Sequence, residues 1–138
     1  MKSVAAVAAL IATIGTAQAL ACGVCVEDKI AAAYDHALIV QSLAKKHQVV
    51  FFALEGQLAG EAQRRAIKHA AEGARGADPG SARVSLESAS LSVAFDPQRA
   101  SFAAFEKSLE VGLARRGVSL LLLRVMDRTN DLKTVARP

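Results

Sequence analysis

Gln48-Val49-Val50-Phe51-Phe52-Ala53-Leu54-Glu55-Gly56 decides the fold. The six apolar residues from Val49 to Leu54 leave neither face of an extended chain polar, so the segment reads as a strand that must be covered on both sides. Gly56 breaks it. Gln57 to Ala74 then reads as an alanine-rich helix with Leu58, Ala62, Ala66, Ile67 and Ala70 inward, and Gly73, Gly76, Pro79 and Gly80 mark a long turn.

Two alternating segments follow. Arg83 to Ser88 places Val84 and Leu86 on one face, and Leu91 to Phe95 places Leu91, Val93 and Phe95 inward, with Ser88, Ala89 and Ser90 as a tight hairpin between them. The polar alternates predict a wet outer face. After Asp96-Pro97, either Ser101 or Asp96 is placed to cap a helix with the stripe Phe102, Phe105, Leu109 and Leu113. Gly117 stops that helix, and Val118 to Met126 is a final strand, apolar on both faces around Leu120 to Leu123. Asp127 to Pro138 reads as a solvated tail.

Upstream of Gln48, Ile30, Ala33, Tyr34, Ala37, Leu38 and Gln41 recur at three- and four-residue steps with no proline or internal glycine. This pattern predicts one helix from Val24 to His47. Glu27 and Asp28 fall in its first turn and Lys45, Lys46 and His47 in its last, as the helix dipole favours. The element order is therefore helix, then strand, helix, strand, strand, helix, strand. The last six elements make a ferredoxin-like βαββαβ antiparallel sheet, an α+β fold, with an additional N-terminal helix. Two helices cover only one face of such a sheet. The first and last strands, which are apolar on both faces, need the extra helix or a partner protein on the other.

Met1 to Ala21 reads as a secretion signal: Lys2 supplies the positive start, Val4 to Ile14 the apolar run, and Gly15 to Ala21 small or neutral residues. Cleavage before Leu20 and cleavage before Cys22 both fit a small-x-small rule, and lipid attachment at Cys22 is a third outcome. The organisation is a signal over 1–21, a helix carrying the cysteines over 22–47, a domain over 48–126 and a tail over 127–138. The mature part, roughly 120 residues, is long enough for one core. No second long apolar run exists, so no membrane span is expected. Losing Lys2 leaves 16 basic and 13 acidic side chains, dispersed along the chain, which gives nucleic-acid binding no support. The signal points to a periplasmic or secreted protein, in an oxidising compartment where a free dithiol survives only under a metal or a reductant.

From Val49 to Met126 the chain resembles the heavy-metal-associated domain of copper chaperones and metal-pumping ATPases. The resemblance is carried by Phe51-Phe52-Ala53-Leu54-Glu55-Gly56, by Ser92-Val93-Ala94-Phe95-Asp96-Pro97, by the helix from Ser101 and by Gly117 before the last strand. In that family a Gly-Met-x-Cys-x-x-Cys loop holds Cu(I) or Zn(II) between two thiolates. Here the matching residues are Gly56, Gln57, Leu58, Ala59, Gly60, Glu61 and Ala62, with alanine at both cysteine positions. Alanine offers no donor atom, so the family's site does not transfer.

A cysteine pair of the same spacing stands elsewhere, at Cys22-Gly23-Val24-Cys25, and these are the only cysteines in the chain. Thiols three residues apart at a helix start can share one soft metal ion or close as a disulfide. Two thiolates suit Cu(I), whereas zinc wants four ligands and fits less well; the Cys22 α-amino group becomes a third donor if cleavage follows Ala21. A helix N-terminus lowers a thiol pKa, while Glu27 and Asp28 oppose this. The first reading is an exported protein that binds copper at Cys22 and Cys25 and exchanges it with a metal-accepting partner. The alternative is a non-enzymatic interaction module stapled by a Cys22–Cys25 disulfide. A thiol-disulfide oxidoreductase ranks third, since no strand precedes Cys22. No serine–histidine–acid spacing, phosphate loop or paired-carboxylate motif marks an enzyme. His36, on one continuous helix, would stand about 16 Å from Cys25, too far to share an ion. His47 and His69 read as solvated helix residues, Tyr34 as a packed ring, Asp35 as a solvent carboxylate and Met126 as core.

Overall fold

Gln48–Glu55 forms β1, the inner strand, with every residue from Val49 to Leu54 buried. A computed structural model of the protein describes the main chain of residues 21–129 and the side chains of residues 26–129. All of the expected secretion signal but Ala21, the cleavage frame before Leu20 and most of the expected tail lie outside the described residues, as do the Cys22 and Cys25 side chains. The remaining elements are α1 (Ala21–Ala32), α2 (His36–Ala44), α3 (Glu61–Glu72), β2 (Arg83–Ser85), β3 (Ser90–Phe95), α4 (Phe102–Ala114) and β4 (Ser119–Met126). The strands pair antiparallel in the order β2-β3-β1-β4. This is the ferredoxin-like sheet that the sequence pattern calls for.

Each face of β1 has its own core, because successive side chains of a strand point to opposite faces. Val50, Phe52 and Leu54 join Ile67 and Ala71 of α3, Leu91, Val93 and Phe95 of β3, and Phe105, Leu109 and Leu113 of α4. Phe95 and Phe105 stack there with ring centroids 4.4 Å apart. Val49, Phe51 and Ala94 on the other face pack against Ile30, Ala33 and Ile39, so α1 and α2 form a second layer. Each large side chain taken from water by that layer contributes about 1.5–3 kcal/mol.

The expected single helix from Val24 to His47 is two helices. Asp35 takes an extended conformation, and its carboxylate accepts the hydrogen bond of Leu38 N as the N-cap of α2. The Ala33 carbonyl, freed from the helix ladder, accepts from Ser92 Oγ at 2.6 Å. A straight helix of that length would leave one half off the sheet. The break lets both halves lie on it.

The wet outer face expected for the β2–β3 hairpin is also corrected: Ser90, Ser92 and Ala94 are all buried. Ser92 lies under Ala33, and Ala94 is tied to Ser81 through its N–H and carbonyl. β2 ends at Ser85, and the turn falls at residues 86–89 with Ala89 in the left-handed region. The helix expected from Gln57 starts at Glu61, since Gly56 and Gly60 both have positive φ and hold the intervening chain as a loop.

β4 pairs with β1 through a bulge: Phe51 faces Arg124 and Phe52 faces Leu122, leaving Leu123 extra. The extra residue switches the alternation, so Leu120 and Val125 join the α3–α4 core while Leu123 and Met126 pack against the α1–α2 layer. Cover of this strand is incomplete. Leu121 and Leu122 stay 55% and 42% exposed on the outer edge.

Ser101 caps α4, with its hydroxyl accepting from Ala104 N, and Gly117 at φ 71° ends the turn after it. Gly56, at φ 137°, lies so close to this turn that a Cβ would stand 2.5 Å from the Gly117 carbonyl oxygen. Gly56→Ala therefore adds a clash to a strained backbone and should cost about 2–3 kcal/mol or more. Gly60→Ala, where nothing lies within 4 Å, adds no clash and pays only for a glycine-favoured backbone at φ 86° and ψ 152°, about 1–2 kcal/mol and less than Gly56→Ala. Urea unfolding of the two variants checks the difference, and equal losses would refute the close approach.

Candidate functional site

Two places have a claim to metal chemistry: the loop after β1 and the start of α1. The loop is closed on itself by Gln63, whose Oε1 accepts from Ala59 N at 2.6 Å and whose Nε2 donates to the Gln57 carbonyl at 2.7 Å. Ala59 and Ala62 offer no donors, so this side chain holds the loop shape without a metal.

At the other place, α1 carries both cysteine positions in its first turns. Ser92, Phe51 and Arg124 are cross-strand partners in one row. α1 touches both ends of that row, through Ala33 at Ser92 and through Glu27, whose carboxylate meets Arg124 at 2.9 Å. The helix advances about 9 Å between Glu27 and Ala33, close to the roughly 9.6 Å from β3 to β4, so it crosses the strands instead of running along them. Past Glu27 the axis carries on toward the outer side of β4, where the main chain at Cys25 and Cys22 lies about 3 and 7.5 Å further along.

Val26, Ile30 and Ala33 are the apolar anchor of this helix. Lys29 adds a polar one, its ammonium donating to the Ser88 carbonyl at 2.6 Å and the Ala89 carbonyl at 3.3 Å. The Glu27–Arg124 pair is solvent-exposed and contributes at most about 1 kcal/mol. Burial fixes where α1 lies, and the polar contacts set its direction.

The remaining candidates fall apart from this end. His36 begins α2, beyond the break, so a separation measured along one continuous helix does not apply. Its Nδ1 is 3.3 Å from the Tyr34 hydroxyl, and the Tyr34 ring, expected to be packed, is 46% exposed. Met126 packs on the second core as expected. His47 is not a solvated helix residue. It links α2 to β1, with Nδ1 2.7 Å from Asp78 Oδ2 and Nε2 3.6 Å from Asp96 Oδ2, the second distance too long for a hydrogen bond. No local pattern announces this cluster, because its acids lie far along the chain on two different loops. Among the described residues no three His, Cys, Asp or Glu side chains converge as a metal site.

No family model matches the chain, and no curated protein does. Solved structures similar to it include the following three. A copper binding domain from HMA7, a P-type ATPase, is 18% identical over 56% of this chain and 96% of its own, with a TM-score of 0.46. Oxidized MerP from Ralstonia metallidurans CH34 is 20% identical over 56% and 99%, with a TM-score of 0.46. The CopZ metallochaperone is 19% identical over 53% and 98%, with a TM-score of 0.42. At these identities the likeness is one of fold alone.

Asp35, expected as a solvent carboxylate, holds the break that positions α1 and α2. The hydrogen bond from Leu38 N, and then the Arg83 guanidinium at 2.9 Å, keep its carboxyl below its ordinary pKa. The folded carboxyl thus titrates lower than the unfolded one, and its contribution is present at neutral pH and lost as pH falls through the folded value. Asp35→Asn keeps a capping oxygen but no charge, so it should be less stable than wild type at pH 7, with the gap closing below about pH 4. Urea midpoints across that range provide the measurement; a gap independent of pH would show that the charge plays no part.

Proposed function

We propose that this is an exported metal-handling protein that holds Cu(I) between the thiolates of Cys22 and Cys25 and passes it to a metal-accepting partner in the periplasm. The observation that supports the reading best is the continuous helix Ala21–Ala32 through both cysteine positions. Positions three apart on a helix are neighbours. Two soft thiolates satisfy Cu(I), which accepts low coordination numbers, whereas a zinc ion would still lack half its ligands.

The anchoring of α1 adds support. A dithiol on a helix held by Ile30 and Ala33 keeps its place on the fold, while the axis beyond Glu27 runs toward the edge strand. An incoming thiol can join an under-coordinated ion there and draw it away. Removal of the signal before Cys22 would add the new α-amino group as a third donor; acylation of Cys22 would instead tether the protein to a membrane and remove that thiol.

Reduced protein titrated with Cu(I) against a competing chelator should bind one ion per chain. Changing both Cys22 and Cys25 to Ser should weaken binding at least about a hundredfold, the order expected when both soft ligands are lost. Unchanged affinity in the double variant would end the proposal. Protein from the periplasm, weighed intact without reductant, separates the competing reading: a complete Cys22–Cys25 disulfide that resists mild reductant marks a structural staple.

A further inference from the structure

The charge of this chain, dispersed in sequence, is concentrated in space. The α3–α4 layer, residues 61–76 and 97–116, holds eight arginines and lysines against four glutamates, a surplus equal to the formal +4 of the whole chain. The layer on the other face of the sheet, residues 26–47, is balanced with three of each. Within the α3–α4 layer Arg64 pairs with Glu61. Arg65, Lys68, Lys107, Arg115 and Arg116 form no ion pair among the described residues.

Between the two helices lies a cleft of about 350 Å³, lined by His69, Gly73, Ser108, Gly112, Arg115 and Arg116, with no acidic side chain on its walls. Cations near helix C-termini are favoured by the helix dipole whatever their use, which accounts for His69, Arg115 and Arg116 taken singly. It does not account for a surplus spread over the length of both helices, nor for a concave site with cations and no counter-charge.

We propose that this cleft docks an acidic segment of a partner protein, with carboxylates paired to Arg115 and Arg116. Guanidinium groups match carboxylates in paired hydrogen bonds, and the surrounding positive field would speed the encounter. The concave shape favours a chain with projecting carboxylates over a flat lipid surface. The site is across the sheet from α1, so a docked partner leaves the cysteine end of the molecule free. This inference stands whether or not Cys22 and Cys25 bind copper.

The full chain, tested by fluorescence anisotropy with a fluorescein-labelled decaglutamate peptide, should bind with an affinity that falls as salt rises. Arg115→Glu with Arg116→Glu should weaken binding roughly tenfold or more, while Lys45→Glu with Lys46→Glu, on the balanced side, should change it less than about twofold. Amide shifts on titration should centre on Gly73 and Gly112. If the charge reversal unfolds the protein, Arg115→Gln with Arg116→Gln, checked by circular dichroism, takes its place. Equal losses from the two lysine and two arginine changes, or no shifts at Gly73 and Gly112, would overturn the proposal in favour of attraction by net charge. Arginine-dependent binding to phosphatidylglycerol vesicles, with none to the peptide, would overturn it in favour of a membrane surface.

Discussion

The structure depends on covering the second face of its sheet. β1 is apolar from Val49 to Leu54, and a sheet of this topology places α3 and α4 over only one side. Without another layer, Val49 and Phe51 would face water, at a cost of several kcal/mol against the 5–15 kcal/mol that usually holds a domain together. α1 and α2 supply that layer. The N-terminal segment is therefore part of the core, and the cysteine positions belong to an element whose place is fixed by burial.

The way this layer lies on the sheet is a matter of polar detail. Asp35 ends one helix run and starts the next, the Ser92 hydroxyl donates to the Ala33 carbonyl at the loose end of the first, and His47 with Asp78 secures the passage from α2 into β1. Of the three, the buried Ser92 contact satisfies a carbonyl that would otherwise be desolvated without a partner, at about 1–3 kcal/mol. Together the three make a specific crossing direction out of a general need for cover. That direction takes the start of α1 toward the β4 edge.

On the reading proposed above, the two faces divide the labour. The β1–α3 loop, where the resembling family places its thiolates, is closed here by Gln63 and has no donor in place of either cysteine. The cysteines proposed above as soft ligands are instead on the added layer. The α3–α4 side carries the surplus positive charge and a cleft between its helices. Separate surfaces for cargo and for a partner would let each act without obstructing the other.

The sequence by itself determined the order of the βαββαβ elements, the strand Gln48–Glu55, the Phe102, Phe105, Leu109, Leu113 stripe, a cap at either Ser101 or Asp96 and the need for a second covering layer. These follow from periodicity and from the local chemistry of caps and glycines, which act over a few residues. It also made Cys22 and Cys25 the candidate ligands, since no other cysteine exists. Only the tertiary structure decided that the N-terminal helix breaks at Asp35, that Ser90 and Ser92 are buried, that His47 lies beside Asp78, and that dispersed arginines and lysines gather on one face. The physical reason is distance along the chain. Ser92 meets Ala33 across 59 residues and His47 meets Asp78 across 31, and contacts of that span leave no periodic trace in the residues that make them.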